Sequence, residues 1–66
     1  WPRRRRGDAV RLVQARLAER GFKPGHADGV FGRKTASAVK EFQKSQGFLK
    51  ATGVVNVNTF AALFIQ

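Results

Sequence analysis

Cysteine is absent from this chain, so neither a disulfide nor a thiolate metal site can hold it together. Tyrosine is absent as well. Carboxylates are scarce: Asp8, Glu19, Asp28 and Glu41 stand against 13 Lys and Arg. Asp8 reads as a helix cap and Asp28 as a turn residue. Glu19 and Glu41 fall among basic neighbours on helix surfaces, so no two carboxylates suggest the arrangement of a glycosidase. His26 is the only histidine, in a loop, with no second ligand at metal-binding spacing. Gly25 to Gly32 lacks the Gly-Lys-Ser/Thr ending of a phosphate loop. These shortages predict no catalytic residue, no metal and no cofactor. No apolar run approaches the ~18 residues of a membrane-spanning helix. No signal-peptide pattern is legible, and the abrupt start at Trp1 reads as a piece cut from a larger protein.

What is present is positive charge and a repeat. The 66 residues carry a net charge of +9, which favours an anionic partner: nucleic acid, an anionic membrane or an acidic polymer. That length allows one domain with a modest core, built on six Phe and the aliphatic residues. Asp28-Gly29-Val30-Phe31-Gly32-Arg33-Lys34-Thr35 recurs in weaker form as Thr52-Gly53-Val54-Val55-Asn56-Val57-Asn58-Thr59. Each copy follows a Gly-Phe pair and leads into an apolar segment. A repeated unit implies a repeated turn geometry. Gly29 and Gly53 permit positive φ. Gly32 and Asn56 suit helix N-caps, which puts Phe31 and Val55 at N′, Ala36 and Phe60 at N4, and Thr35 and Thr59 at N3, reaching back toward the cap.

The pattern predicts three helices and no strand. The first spans Asp8 to Arg20, capped by Asp8, with Val10, Val13 and Leu17 inward and Leu12 widening the stripe. Gly21 and Phe22 end it as a Schellman turn. The second spans Arg33 to about Gln46, with Ala36, Val39 and Phe42 inward; Gly47 ends it and Phe48 reaches back to Phe42. The third spans Val57 to about Phe64, with Phe60, Leu63 and Phe64 inward. The expected core is Val10, Val13, Leu17, Phe22, Phe31, Val39, Phe42, Phe48, Phe60 and Leu63. The fold class is all-α, a compact three-helix bundle over residues 7–66 behind a basic lead-in at 1–6.

Gly7-Asp8-Ala9-Val10, Val13-Gln14, Leu17, Gly21-Phe22, Pro24-Gly25, Asp28-Gly29-Val30-Phe31-Gly32, Thr35, Ala38-Val39, Phe42-Gln43, Gly47-Phe48, Gly53-Val54-Val55, Thr59 and Leu63 form an ordered set. As a set it resembles the peptidoglycan-binding domain family, small three-helix modules that accompany bacterial cell-wall hydrolases and phage endolysins. The resemblance covers about residues 7 to 63. It departs at Thr52, where the family often has Asp, at Asn56, where it often has Gly, and at Val13, often Leu. The second turn is therefore the weaker copy.

The resemblance implies a non-catalytic module that holds a fused hydrolase, of a phage endolysin or a secreted bacterial enzyme, on peptidoglycan. Such a module works at the bacterial envelope or outside the cell; if from a phage, it is made in the host cytoplasm and released to the wall at lysis. The expected ligand site lies at the first turn, with Asp28, Arg33 and Lys34 exposed and Gln14 and Gln43 across the groove. Asp28 as a purely structural turn carboxylate, and Gln14 and Gln43 as amides that tie loops down, are the competing readings. Arg3, Arg4, Arg5 and Arg6 read as a solvated linker or as a contact for an anionic envelope. A monomer with no specific nucleic-acid partner is expected. The alternative is a small basic nucleic-acid-binding helical domain, with Lys34, Lys40 and Lys44 on phosphates. Against it, the loops are longer than a helix-turn-helix wants, and no helix clusters base-reading side chains at its start.

Overall fold

The computed structural model describes residues 6–65. Three helices follow in order: α1 (Asp8–Glu19), α2 (Arg33–Gln46) and α3 (Val57–Ile65). α1 packs against both α2 and α3. The three-helix expectation holds, with boundaries within a residue of those read from the pattern. The one pairing of strand type among the described residues is an isolated antiparallel bridge between Arg6 and Val30, beside a bond from the Gly7 N–H to the Gly29 carbonyl. Arg6 is therefore tied to the first turn through its backbone. Trp1, Arg3, Arg4 and Arg5 lie outside the described residues, as does Gln66.

The start of α1 differs from expectation. Gly7 occupies the cap and Asp8 is the first helical residue, its side chain in solvent and 3.7 Å from Arg11. A carboxylate at this position still suits the positive helix end. The end of α1 is the Schellman turn expected: Phe22 N–H donates to the Leu17 carbonyl at 2.9 Å, Gly21 N–H to that of Ala18 at 3.1 Å, and Gly21 takes φ 89°. Phe22 is thereby delivered edge-on to Phe42, ring centres 5.7 Å apart.

The core consists of Val10, Val13, Leu17, Phe31, Ala36, Ala38, Val39, Phe42, Val55, Ala62 and Leu63, with Phe22, Leu49 and Phe64 packed against it. Two residues of the expected core lie elsewhere. Phe48 is 63% exposed, because Gly47 at φ 77° turns the chain away from the end of α2; Phe22, from the other Gly-Phe pair, fills the place beside Phe42. Phe60 is 38% exposed and stacks on Phe64 with ring centres 4.7 Å apart, beside the cleft that it lines with Val55. In the first copy both staple residues, Phe31 and Ala36, do join the core. Leu12 is also exposed, so the buried stripe of α1 is the narrow one, Val10, Val13, Gln14 and Leu17.

Candidate functional site

Two glutamines organise both turns. Gln14 projects from α1 into the first turn and is buried. Its Oε1 accepts the Gly29 N–H at 3.0 Å. Its Nε2 donates to the Val30 carbonyl and to Thr35 Oγ1, each at 2.9 Å, and shares a longer contact of 3.2 Å with Asp28 Oδ1. Gln43 repeats this from α2. Its Oε1 accepts the N–H groups of Thr52 and Gly53 at 2.9 Å, and its Nε2 donates to the Val54 carbonyl and Thr59 Oγ1 at 3.0 Å. Each amide thus satisfies a turn and the first turn of the following helix in one buried network. The threonines at N3 do not reach back toward their caps. They turn inward to the glutamines, and the Thr35 hydroxyl also donates to the Pro24 carbonyl at 3.4 Å. The cap of α3 is the expected Asn56, whose Oδ1 accepts the Thr59 N–H at 2.8 Å.

Gly29 adopts φ 78°, and a Cβ there would stand 3.1 Å from the Gly7 carbonyl oxygen. Both reasons for a glycine, the left-handed backbone and the close approach, therefore apply. Asp28 sits one residue earlier. Its Oδ1 accepts the Val30 N–H at 2.9 Å, closing an Asx turn, while the side chain stays exposed. The Val30 N–H and then the Gln14 amide hold its carboxyl below the usual carboxylate range.

A cleft of about 270 Å³ opens beside this turn. Asp28, Arg33, Lys34 and Gln14 line it together with Pro24 and His26. The structure thus brings four of the five sequence-derived site residues to one place. Arg33 and Lys34 are exposed and form no ion pair with a described residue. The Lys34 stem runs past Gly25, where a Cβ would meet its Cδ at 3.2 Å. Gln14 contributes to the wall of the cleft, but its amide is fully engaged with the chain. Gln43 stands apart, buried behind the second turn with its amide likewise engaged. The tying role of both glutamines is visible in these bonds, and the groups left facing outward are Asp28, Arg33 and Lys34. His26, read from the sequence as a lone loop histidine without a second metal ligand, also lines the cleft. It stands two residues before the Asx turn, where its carbonyl accepts the Asp28 N–H at 2.9 Å.

A larger cleft of about 620 Å³ lies on α3, lined by Val55, Asn56, Val57, Phe60, Ala61 and Ile65. It carries no ionisable side chain and so offers contact area without charge recognition. Among the described residues no three His, Cys, Asp or Glu converge as a metal site would require.

Comparison with known proteins is consistent along the chain. A family model described as "Putative peptidoglycan binding domain" matches residues 6–63. The N-acetylmuramoyl-L-alanine amidase CwlM of Mycobacterium tuberculosis is 40% identical over 58 residues, covering 88% of this chain and 14% of that protein. The spore cortex-lytic enzyme of Bacillus subtilis is 40% identical over 60 residues, covering 91% of this chain and 20% of that protein. The chain therefore spans a fifth or less of either relative. The crystal structure of the SleB N-terminal domain superposes with a TM-score of 0.89 at 36% identity, over 96% of this chain and 85% of that one.

Proposed function

We propose, from the premise that this chain belongs to the peptidoglycan-binding domain family, that it is a non-catalytic module that holds an attached wall hydrolase on its substrate. The observation that carries the reading is the glutamine-anchored first turn, which presents Asp28, Arg33 and Lys34 around one cleft. Peptidoglycan stems carry carboxylates and amides. A guanidinium and an ammonium at the start of α2 suit the carboxylates, and the positive end of the helix adds to their field. No acidic side chain stands in the first turn of α2, and its cap Gly32 supplies no side-chain acceptor to the free N–H groups. Asp28 is placed to accept an amide or amine of the ligand through the carboxylate oxygen that the Asx turn leaves outward.

The attached enzyme, an endolysin or a secreted bacterial hydrolase, and a site of action at the envelope or outside the cell belong to the same proposal. It extends to bacteriolytic use and to contact of Arg3, Arg4, Arg5 and Arg6 with anionic envelope polymers. The domain acts as a monomer in this reading.

Retention on purified sacculi and melting temperature are measured together for Arg33→Ala/Lys34→Ala and for the control Lys44→Ala. Loss of retention by about tenfold in the double variant, with melting unchanged, is expected. Equal loss in variant and control would reduce the site to bulk charge. Duplex DNA across a salt series runs in parallel, since a net charge of +9 alone would also attract it. A steep salt slope on DNA with no sacculus retention would replace this reading with the nucleic-acid one.

A further inference from the structure

We propose that the groove between α2 and the second turn is an anion subsite that takes a carboxylate of the peptide stem; this rests on the peptidoglycan-binding reading and adds a second contact to it. The groove has a volume of about 220 Å³ and is lined by Arg33, Ala36, Ser37, Lys40, Thr52 and Gly53. Arg33 and Lys40 are seven residues apart, two helical turns, so they project to the same side with Ser37 between them. Neither forms an ion pair with a described residue, and no carboxylate lines the groove. The Thr52 hydroxyl accepts the Val54 N–H at 3.2 Å, which leaves its own proton to donate. Gly53, at φ 79°, lets the turn lie directly on α2; a Cβ there would stand 3.2 Å from the Ala36 carbonyl oxygen.

The repeat within the chain supplies the contrast. Asp28 and Thr52 hold equivalent positions, each accepting the N–H two residues on. The first turn therefore presents a carboxylate and the second a neutral hydroxyl. Arg33 lines both grooves. A ligand passing Arg33 meets a carboxylate on one side, which suits an amine or amide N–H. On the other side it meets cations and hydroxyls alone, which suit a carboxylate. A peptide stem carries both kinds of group.

Thr52→Asp is the sharpest test, because the equivalent position of the first turn holds Asp28 with the same bond from the N–H two residues on. Lys40→Ala removes one cation from the groove. Asn58→Asp and Lys23→Ala make the same charge changes at exposed positions outside it. Binding of a soluble disaccharide–tetrapeptide with free carboxylates, and of the same compound with its carboxylates amidated, is measured by calorimetry, with melting temperature as the check on folding. Thr52→Asp and Lys40→Ala should each weaken the free-acid ligand about tenfold relative to the controls. The amidated ligand should bind the unaltered domain weakly and be indifferent to both changes. Equal loss in variants and controls, or equal binding of the two ligands, would overturn the subsite. A glycerol-phosphate polymer that binds more tightly than the muropeptide and is released by Thr52→Asp would overturn the carboxylate assignment. Failure of the unaltered domain to bind sacculi would remove the parent reading together with the subsite. Sacculus binding with unchanged muropeptide affinity in Thr52→Asp would remove the subsite alone.

Discussion

Asp28 shows how one side chain serves a turn and a surface together. Its carboxyl is held below the ordinary carboxylate range by the Val30 N–H and the Gln14 amide, so the ionised form favours the folded chain. The sign of the pH effect follows: the contribution is complete above the unfolded pKa and is lost as pH falls through the depressed folded one. Thermal unfolding between about pH 5 and 2 should therefore show a steeper acid decline for the native sequence than for Asp28→Asn, which keeps an acceptor for the turn but no titrating group. Gln43 shows the opposite case, a neutral side chain with no exposure. Gln43→Ala would take their amide partner from the Gly53 N–H, the Val54 carbonyl and the Thr59 hydroxyl, while the Thr52 N–H keeps the Lys50 carbonyl at 3.0 Å. A loss of about 2–4 kcal/mol in urea unfolding is expected, since each stranded buried group costs about 1–3 kcal/mol and some regain water. Gln46→Ala, a surface amide of the same helix, should fall within about 0.5 kcal/mol of the native chain.

At the scale of elements, the two Gly-Phe pairs look alike in sequence and do different work. After α1 the Schellman turn returns Phe22 to the core edge; after α2 the chain leaves with Phe48 exposed. Phe42, fully buried on α2, meets Phe22 edge-on and the Arg20 guanidinium at 5.8 Å from its ring centre. Phe42→Ala should cost about 3–5 kcal/mol, close to the whole stability of so small a domain. Phe48→Ala should change stability by less than about 1 kcal/mol, and circular-dichroism melts of the pair check both. Which phenylalanine is inward was not legible, because helical periodicity stops at the glycine that ends each helix. Beyond that point the direction of the chain depends on what it packs against.

For the whole molecule, the body measures 28 × 21 × 17 Å against a Debye length of about 8 Å at physiological salt, so cations on opposite faces are largely screened from one another. In the proposed reading, the net charge of +9 then attracts an anionic wall mainly through the face that meets it, and the two turn grooves would add position. Retention on sacculi should weaken several-fold between 0.05 and about 0.5 M salt. The remainder at high salt should be the part sensitive to Arg33→Ala/Lys34→Ala, because short charge-assisted hydrogen bonds are screened less than distant charges.

The chain by itself determined the number, order and limits of the helices. Glycine and polar caps punctuate it, and apolar residues recur at helical spacing between them, both of which are local properties. It also determined that two turns share one geometry, since the requirement for Gly29 and Gly53 is a matter of backbone sterics. Tertiary structure decided which partners Gln14, Gln43, Thr35 and Thr59 take. In sequence the glutamines read either as ligand contacts or as amides that tie loops down, and the threonines as hydroxyls reaching back to their caps. Only when α1 lies over the first turn and α2 over the second do their amides and hydroxyls meet, 21 and 16 residues apart. A polar group can be buried wherever a distant partner satisfies it, and that partner is named by the fold, not by the neighbours in the chain.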